Sequence, residues 1–317
     1  MNELVPLPVL PALVAAAGER AGLRFLEFFT AQIRNPHTRR AYGHAVVAFL
    51  AWCEGDGVSS IAAVQPLHVA VWIELQTREM SAPSVKQKLA AIRHLFDWLV
   101  TGHVVEVNPA ASVRGPSHVV RQGKTLVLEA AEARVLIDSI DVTTLVGLRD
   151  RALIALMVYS FARVGAALGM KAEDVYTQNR RLWVRLREKG GKAHVMPCHH
   201  NLETYLLAYI EGAALDKDPK GPLFRTIGRT KGRPLTRTPL PQANAYAMIG
   251  RRAAAAGIAT RLGNHSFRAT GITAYLKNGG TLEKAAQMAN HASTRTTQLY
   301  DRRREEMSLD EVERIRV

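Results

Sequence analysis

One break that contains prolines and glycine divides this chain into two halves. The break, VNPAASVRGPSHVVRQGK, covers roughly residues 107–124 and contains Pro109, Gly115 and Pro116 with little apolar periodicity. Such a composition is typical of a linker between folded segments. The length of 317 residues also favours two domains over one. We therefore expect one domain on each side of the break.

The first domain, residues 18–106, is predicted to be entirely helical and to follow a lead-in over residues 1–17. Four stretches repeat their apolar residues at helical spacing, and in the last of them Leu89, Ile92 and Phe96 share one face. The stretches are GERAGLRFLEFFTAQI, NPHTRRAYGHAVVAFLAWCEGDG, QPLHVAVWIELQTRE and SAPSVKQKLAAIRHLFDWLVTGH. Four helices in so short a segment predict a compact helical domain.

The second domain, residues 125–317, is predicted to combine helices with a small sheet and to end in a tail from about residue 305. TTLVGLRDRALIALMVYSFARVGAALGM predicts two buried helices. RRLWVRLREKGGKAHVMPC alternates apolar residues on both sides of the turn at 189–192, as a β-hairpin does. The remainder is predicted to be helical, with GRTKGRPLTRTPLP as a loop. The predicted fold class is mainly α with a small β-sheet.

Basic charge is concentrated in the second half of the chain. Lys and Arg number 42 against 28 Asp and Glu, a net charge of +14. Residues 1–115 hold 10 basic and 9 acidic side chains, whereas residues 116–317 hold 32 and 19. No acidic residue occurs from Pro219 to Leu282. Such a field can be a solubilising surface, but its one-sidedness favours a polyanion such as nucleic acid as partner.

Several other classes of protein are disfavoured. No apolar run is long enough to cross a membrane, and the first residues lack the basic region of a signal peptide. Cys53 and Cys198 form neither a disulfide framework nor a CxxC metal site, and the adjacent His199 and His200 lack partners at zinc spacing. We expect a cytoplasmic, nucleoid-associated protein with no metal ion and no other cofactor.

A set of six side chains in the basic domain matches the needs of phosphoryl transfer. Arginine forks can clamp the non-bridging oxygens of a phosphodiester, and histidine or lysine can move protons. A phenol becomes a useful nucleophile when fixed cations stabilise its phenolate. Each residue alone has a plainer explanation, such as core packing for a tyrosine or a solvated face for Arg302–Arg304. The set is Arg163, Lys189, His265, Arg268, His291 and Tyr300.

Four motifs that carry this set make the chain resemble the tyrosine recombinase family of phage-integrase and Xer-like enzymes. The motifs are FARVGAALGM, REKGGKAHVMPC, HSFRATGITAYLKNGG and MANHASTRTTQLYDRR. The last is similar to the family's ending LGHxxxxxTxxYxH. The resemblance is strongest over residues 120–305 and extends more weakly over 18–110. It implies a core DNA-binding domain before the catalytic domain, and two domains that clamp duplex DNA.

The resemblance also implies roles for these residues. Tyr300 would be the nucleophile that forms a 3′-phosphotyrosyl intermediate, and Arg163 and Arg268 would bind the scissile phosphate. His265 and His291 would handle protons or contact the phosphate. The general acid would be Lys189, with Lys192 as its competitor.

Two positions depart from the family's pattern. Ala166 stands where the family often has an acidic residue that braces the first arginine, so either another group orients Arg163 or the site is looser. Ala269 stands where many members have a histidine.

Partners and alternatives follow from the same resemblance. We expect double-stranded DNA with specific sites, four protomers on two sites, and an accessory DNA-bending protein or a partner recombinase. The tail would pack in trans against a neighbouring protomer or in cis. The alternatives are a type IB topoisomerase and a DNA-binding regulator without catalysis. Candidate DNA-binding residues are Arg39, Arg40, Lys86, Lys88, Arg93, Lys192 and Arg233.

Overall fold

The computed structural model describes residues 10–118, 123, 125–188, 193–228 and 234–301. The chain divides into two compact units, Met1–Val119 and Val120–Val317. Lys189, Lys192, Arg233 and the tail from about residue 305 lie outside the described residues. In the described part of the chain, no helix combines the length and apolar composition needed to cross a membrane.

The first unit is helical, as predicted. Asn35 caps the N-terminus of the helix Pro36–Gly55, because its side chain accepts hydrogen bonds from the backbone N–H groups of His37 and Thr38. Pro36 occupies the first position of this helix, where no backbone donor is needed. The elements are α1 (Ala12–Ala15), α2 (Glu19–Glu27) continued by a π-helical turn (Phe28–Gln32), α3 (Pro36–Gly55), a 3₁₀ turn (Ile61–Ala63), α4 (Pro66–Glu79) and α5 (Ala82–Thr101).

Aromatic and aliphatic side chains fill the core of this unit. Phe25 and Phe28 are fully buried, and the face of α5 that carries Leu89, Ile92 and Phe96 is buried as predicted. Leu13 and Val14 also belong to this core, although they lie within the expected lead-in. Part of that lead-in therefore contributes to the folded unit.

The second unit contains eight described helices and two small antiparallel sheets. Its helices are α6 (Ala130–Asp138), α7 (Leu145–Tyr159), α8 (Val164–Leu168), α9 (His200–Gly212), α10 (Gln242–Ala255), α11 (Ser266–Lys277), α12 (Leu282–Met288) and α13 (Thr294–Gln298). Its strands are β1 (Val175–Gln178), β2 (Arg181–Arg187), β3 (Ala193–Pro197), β4 (Arg225–Ile227) and β5 (Leu235–Pro239). The fold class predicted from the sequence is thus confirmed.

The three-stranded sheet, in the order β1-β2-β3, includes the predicted hairpin strands. β2 and β3 pair antiparallel, and their last described pair toward the hairpin tip is Arg187 with Ala193. Leu182, Val184 and Leu186 pack into the core and alternate with partly or fully exposed residues along β2.

The expectation that the rest of this domain is helical was wrong for β4 and β5. Arg225 pairs with Pro239 and Ile227 with Leu235, so part of GRTKGRPLTRTPLP forms a strand rather than a loop. Pro234 and Pro239 argue against a strand at the level of sequence, because proline cannot donate a hydrogen bond to a strand ladder. The pairing is reinforced where the hydroxyl groups of Thr226 and Thr236 approach to 2.5 Å.

A buried charge cluster joins α7 to α10. Asp150 accepts two hydrogen bonds from Arg149, at 3.0 and 2.7 Å, and two from Arg252, at 3.0 and 2.8 Å. Asp150 and Arg149 are almost fully buried, so each charge depends on its partners.

α11 packs closely on α7. Gly271 makes this possible, because a methyl group there would overlap with the carbonyl oxygen of Val158. Arg268 stands one helical turn before Gly271, so this close approach also fixes where Arg268 enters the unit.

Candidate active site

Arg268 is the centre of the site. It lies in the first turn of α11 and is 1% exposed. Its guanidinium donates to the backbone carbonyl of Phe161, to that of Ala289 at 2.5 Å, and to Nε2 of His291 at 2.6 Å. A buried guanidinium is stable only with such acceptors, so these contacts explain why a charge can occupy this position.

The charge of Arg268 is also coupled to its surroundings. Burial lowers the pKa of Arg268 to about 10, and repulsion from Arg163 adds to the shift. Tyr300 and Glu188 oppose it by raising the pKa of Arg268. The candidate nucleophile therefore lies within electrostatic range of the candidate phosphate-binding arginine of its own chain.

His291 is held as a neutral ring. A guanidinium cannot accept a hydrogen bond, so Nε2, which faces Arg268, carries no proton. Nδ1 then carries the proton and donates to the hydroxyl of Thr297 at 2.8 Å. Burial, followed by Arg268 and Arg163, lowers the pKa of His291 to about 4. The ring is therefore neutral at pH 7 and has a fixed tautomer.

His265 immediately precedes α11 and lies in the field of both arginines. Burial is the largest cause of its lowered pKa, and Arg268 and Arg163 lower it further. It too is neutral near pH 7, and a neutral imidazole can accept a proton.

Tyr300 follows α13 and stacks on His291. The two rings are 5.8 Å apart between centroids and nearly parallel, at 10°. The Tyr300 carbonyl accepts a hydrogen bond from Thr273 at 2.8 Å, and the preceding carbonyl, of Leu299, accepts one from the backbone N–H of Gly123 at 3.1 Å. The half-buried ring also packs against a small cluster around Ile272. Hydrogen bonds from Thr273 and Gly123 therefore hold the backbone at Leu299 and Tyr300.

Arg163 directly precedes α8 and pairs with Glu188. Nη1 of Arg163 donates to Oε2 of Glu188. The arginine side chain is 34% exposed, whereas that of Glu188 is 4% exposed. Ala166, one turn further along, is buried and offers no polar group. The acidic partner of Arg163 thus comes from the end of β2.

The structure brings five of the six candidates together, and Lys189 lies outside the described residues, as does Lys192. Three residues of the site were not among the sequence candidates: Glu188, Thr273 and Thr297. Thr297 could have been found, since it stands at the threonine of the quoted motif ending. Glu188 precedes Lys189, but nothing in the sequence pairs it with Arg163.

The candidate DNA-binding residues of the first unit differ in their surroundings. Arg40 and Lys86 are exposed. Arg39 donates twice to the backbone carbonyl six residues before it, and Lys88 donates to a glutamine of α4. Arg93 donates to two backbone carbonyls of the segment that follows α5. These three side chains already have protein acceptors. Arg233 lies outside the described residues.

The segment with Cys198, His199 and His200 connects β3 to α9. His199 precedes α9, accepts from the backbone N–H of Asn201 at 3.2 Å, and stacks on Tyr159 at 4.4 Å. Within the described ranges, no three histidine, cysteine or carboxylate side chains come together as a metal site.

Comparison with known proteins places this fold and site. The chain matches the sequence model of the Phage integrase family over residues 127–307 and that of the phage integrase N-terminal SAM-like domain over residues 24–103. The first match covers more than half of the chain. The protein therefore belongs to the phage integrase family and is a tyrosine recombinase.

Curated relatives support the same assignment. The chain is 28% identical over 279 residues to tyrosine recombinase XerD of Corynebacterium glutamicum, which covers 84% of this chain and 87% of that protein. It is 27% identical over 301 residues to XerD of Ralstonia nicotianae, covering 94% and 92%. The relatives thus match over nearly their whole length.

Solved structures share the fold. XerH recombinase bound to palindromic difH substrate, in a post-cleavage complex, has a TM-score of 0.70 at 17% identity and covers 98% of this chain and 96% of that chain. A lambda integrase tetramer bound to a Holliday junction has a TM-score of 0.64 at 15% identity, covering 89% and 76%.

Proposed function

We propose that this recombinase cleaves and rejoins DNA at specific sites with Tyr300 as its nucleophile. The observation that carries the proposal is the proximity of Tyr300 to two groups of its own chain. Its ring stacks on His291 at 5.8 Å between centroids, and its side chain raises the pKa of Arg268, so the phenol lies within electrostatic range of that guanidinium. A tyrosine that only packed would not need a buried guanidinium beside its phenol.

The proposed reaction is a transesterification. The phenol oxygen of Tyr300 attacks the scissile phosphorus, the new bond joins the 3′-phosphate to the enzyme, and the bond to the 5′-oxygen breaks. His265, which is neutral, accepts the phenol proton, whereas Nε2 of His291 is engaged by Arg268 and this ring orients Tyr300 by stacking. Lys189, by motif position, gives a proton to the leaving 5′-oxygen, with Lys192 as the alternative. Attack by a 5′-hydroxyl of another strand reverses these steps and rejoins DNA.

Positive charge provides the stabilisation of the transition state. Arg163 and Arg268 are placed to neutralise the charge that gathers on the non-bridging phosphate oxygens. Arg163, which is partly exposed, can meet the phosphate first. Arg268 would exchange one of its backbone or imidazole acceptors for a phosphate oxygen.

The proposed assembly and setting follow from the relatives. Duplex DNA is the substrate, and four protomers act on two sites of a genome or mobile element in the cytoplasm. We propose the domain bounds 18–106 and 125–317, with 107–124 as linker. The exposed Arg40 and Lys86 are the strongest candidates for DNA contacts in the first domain. The comparisons favour recombination over a topoisomerase or a catalytically inactive regulator.

A covalent adduct tests this proposal directly. Wild type and Tyr300→Phe would be incubated with nicked DNA from both flanks of the gene, denatured, and analysed by mass spectrometry. We expect an adduct at Tyr300 that the variant cannot form. An adduct on a different residue, or salt-sensitive specific binding of these fragments without any adduct, would reject Tyr300 as nucleophile.

A further inference from the structure

Glu188 is a buried carboxylate for which the proposed reaction has no role. Its side chain is 4% exposed, and in the described part of the chain its ion pair is with Arg163. A carboxylate buried to this degree is costly in its charged form unless an opposite charge pairs with it. The pair with Arg163 is therefore what allows this acid to be charged here.

The position of Glu188 matches a gap elsewhere in the site. Ala166 follows Arg163 by one helical turn and is buried among apolar side chains, so it cannot hold a guanidinium. β2 runs back beside α8, and the residue just beyond its last pair with β3 reaches the same arginine. The acid comes from a strand end in place of the helix.

The geometry of the pair suits a phosphate-binding arginine. Glu188 is engaged through Nη1 alone, and a guanidinium carries five N–H donors. Because the arginine side chain is 34% exposed while the acid is buried, the pair fixes the guanidinium from its inner side. The outward-facing N–H groups of Arg163 are then already oriented, so binding an anion costs less side-chain entropy.

Glu188 also moderates the repulsion between Arg163 and Arg268. Arg163 lowers the pKa of Arg268, and Glu188 opposes that effect. One carboxylate therefore offsets part of the cost of placing two guanidinium groups at one phosphate position.

We propose that Glu188 is the positioning residue for Arg163 in strand cleavage, in the role that an acid at position 166 would otherwise have. This inference rests on the proposed function. Glu188 also directly precedes Lys189 in sequence, so the strand end that orients the arginine carries the candidate general acid as well.

The first test separates binding from chemistry. The rate of adduct formation at Tyr300 would be measured in a single turnover at saturating nicked DNA, with the Kd for DNA measured separately. We expect Glu188→Gln to slow the rate by about 10- to 100-fold and to change Kd by less than about threefold. Glu188→Asp, which keeps the charge but shortens the reach, should fall between. A wild-type rate in Glu188→Gln overturns the proposal.

A control variant accounts for a purely structural effect. Asp174 is another buried acid, directly before β1, and it pairs with two arginines of β2, Arg185 at 3.5 Å and Arg187 at 3.4 Å. Asp174→Asn should lower the melting temperature and leave the saturated rate within about twofold. Equal rate losses in both variants would assign Glu188 to sheet stability and reject a positioning role.

A double-mutant cycle tests whether Glu188 acts through Arg163. In an Arg163→Lys background, Glu188→Gln should slow the rate by less than about threefold, because its target is already gone. The same loss in both backgrounds overturns the proposal.

A measurement without DNA separates this inference from the proposed function. In ¹⁵N spectra of the free protein, the ion pair should slow rotation of the Arg163 guanidinium and resolve its Nη signals, and Glu188→Gln should abolish this. Failure of wild type to form any adduct rejects the proposed function, whereas absence of this signature rejects the ion pair itself.

Discussion

Nη2 of Arg268 lies 2.6 Å from Nε2 of His291, and this contact sets the protonation state of the imidazole. Nδ1 must carry the proton, and Thr297 accepts it at 2.8 Å. One arginine thus holds a neutral ring next to Tyr300 before any substrate arrives. Its acceptors are this ring and the backbone carbonyls of Phe161 and Ala289, so the arrangement depends on the segment between α7 and α8 and on the end of α12.

His291 should titrate far below an ordinary histidine. Its pKa of about 4, against 6.5 for an exposed ring, means that the folded chain takes up this proton only near pH 4, whereas the unfolded chain does so near pH 6.5. The neutral His291 ring makes its full contribution to the free energy of unfolding above pH 6.5. That contribution, up to about 3 kcal/mol, is lost as the pH falls toward 4. Histidine-selective ¹⁵N spectra should show an Nδ1–H tautomer at pH 7. The signal that disappears in His291→Asn identifies the residue. A midpoint near 6.5 would contradict this.

Thr297 should matter to the rate through its hydroxyl group. Thr297→Val keeps the buried shape but leaves Nδ1–H of His291 without its acceptor, so the ring loses its orientation. We expect adduct formation to slow by about 10-fold or more, with Kd for DNA nearly unchanged. Thr297→Ser, which retains the hydroxyl, is the control and should stay near the wild-type rate. Equal rates in the valine and serine variants would argue against a role for this hydrogen bond.

Gly123 should be sensitive to a single methyl group. A Cβ there would overlap with the carbonyl oxygen of Leu299, which accepts from the Gly123 backbone N–H and directly precedes Tyr300. Gly123→Ala should displace the nucleophile and lower the saturated rate by about 10-fold or more. Gly250→Ala, on α10 with open space around the new methyl, is the matched control and should leave the rate unchanged. If both variants react like wild type, the contact does not position Tyr300.

Asp150 should be a stability residue with no part in the chemistry. Asp150→Ala leaves Arg149 and Arg252 without their shared carboxylate, and breaking such a buried pair costs about 3–5 kcal/mol. Glu173→Ala, which removes an exposed pair with Lys171 at 3.7 Å, should cost less than about 1 kcal/mol. Hydrogen exchange of α7 peptides in rising urea would measure both. A loss below about 1 kcal/mol for Asp150→Ala would show that the cluster is dispensable.

Local sequence patterns were sufficient for much of this fold. The apolar spacing of α5 predicts its buried face because a helix brings residues three and four apart onto one side. The hairpin strands were equally predictable from alternation. The order of the motifs predicts Arg163, Arg268 and Tyr300 as site residues because their spacing follows a family pattern.

What could not be predicted depends on contacts between distant segments. The pair of Glu188 with Arg163 spans 25 residues and exists because β2 ends beside the start of α8. The β4–β5 pair could be known only from the pairing of two short segments, which neither segment's own composition predicts. The contact of Gly123 with Leu299 is made by backbone atoms, which leave no side-chain pattern to read.

That backbone contact has a consequence for dividing the enzyme into two fragments. A break after residue 123 would separate the carbonyl before Tyr300 from the N–H group it binds. Arg93 of α5 donates to the backbone carbonyls of Ala110 and Val113, which belong to the same unit. A break before Val113 would therefore disturb the helical unit. For a split recombinase whose two fragments regain activity when they associate, the chain should therefore be divided at the exposed Ser117.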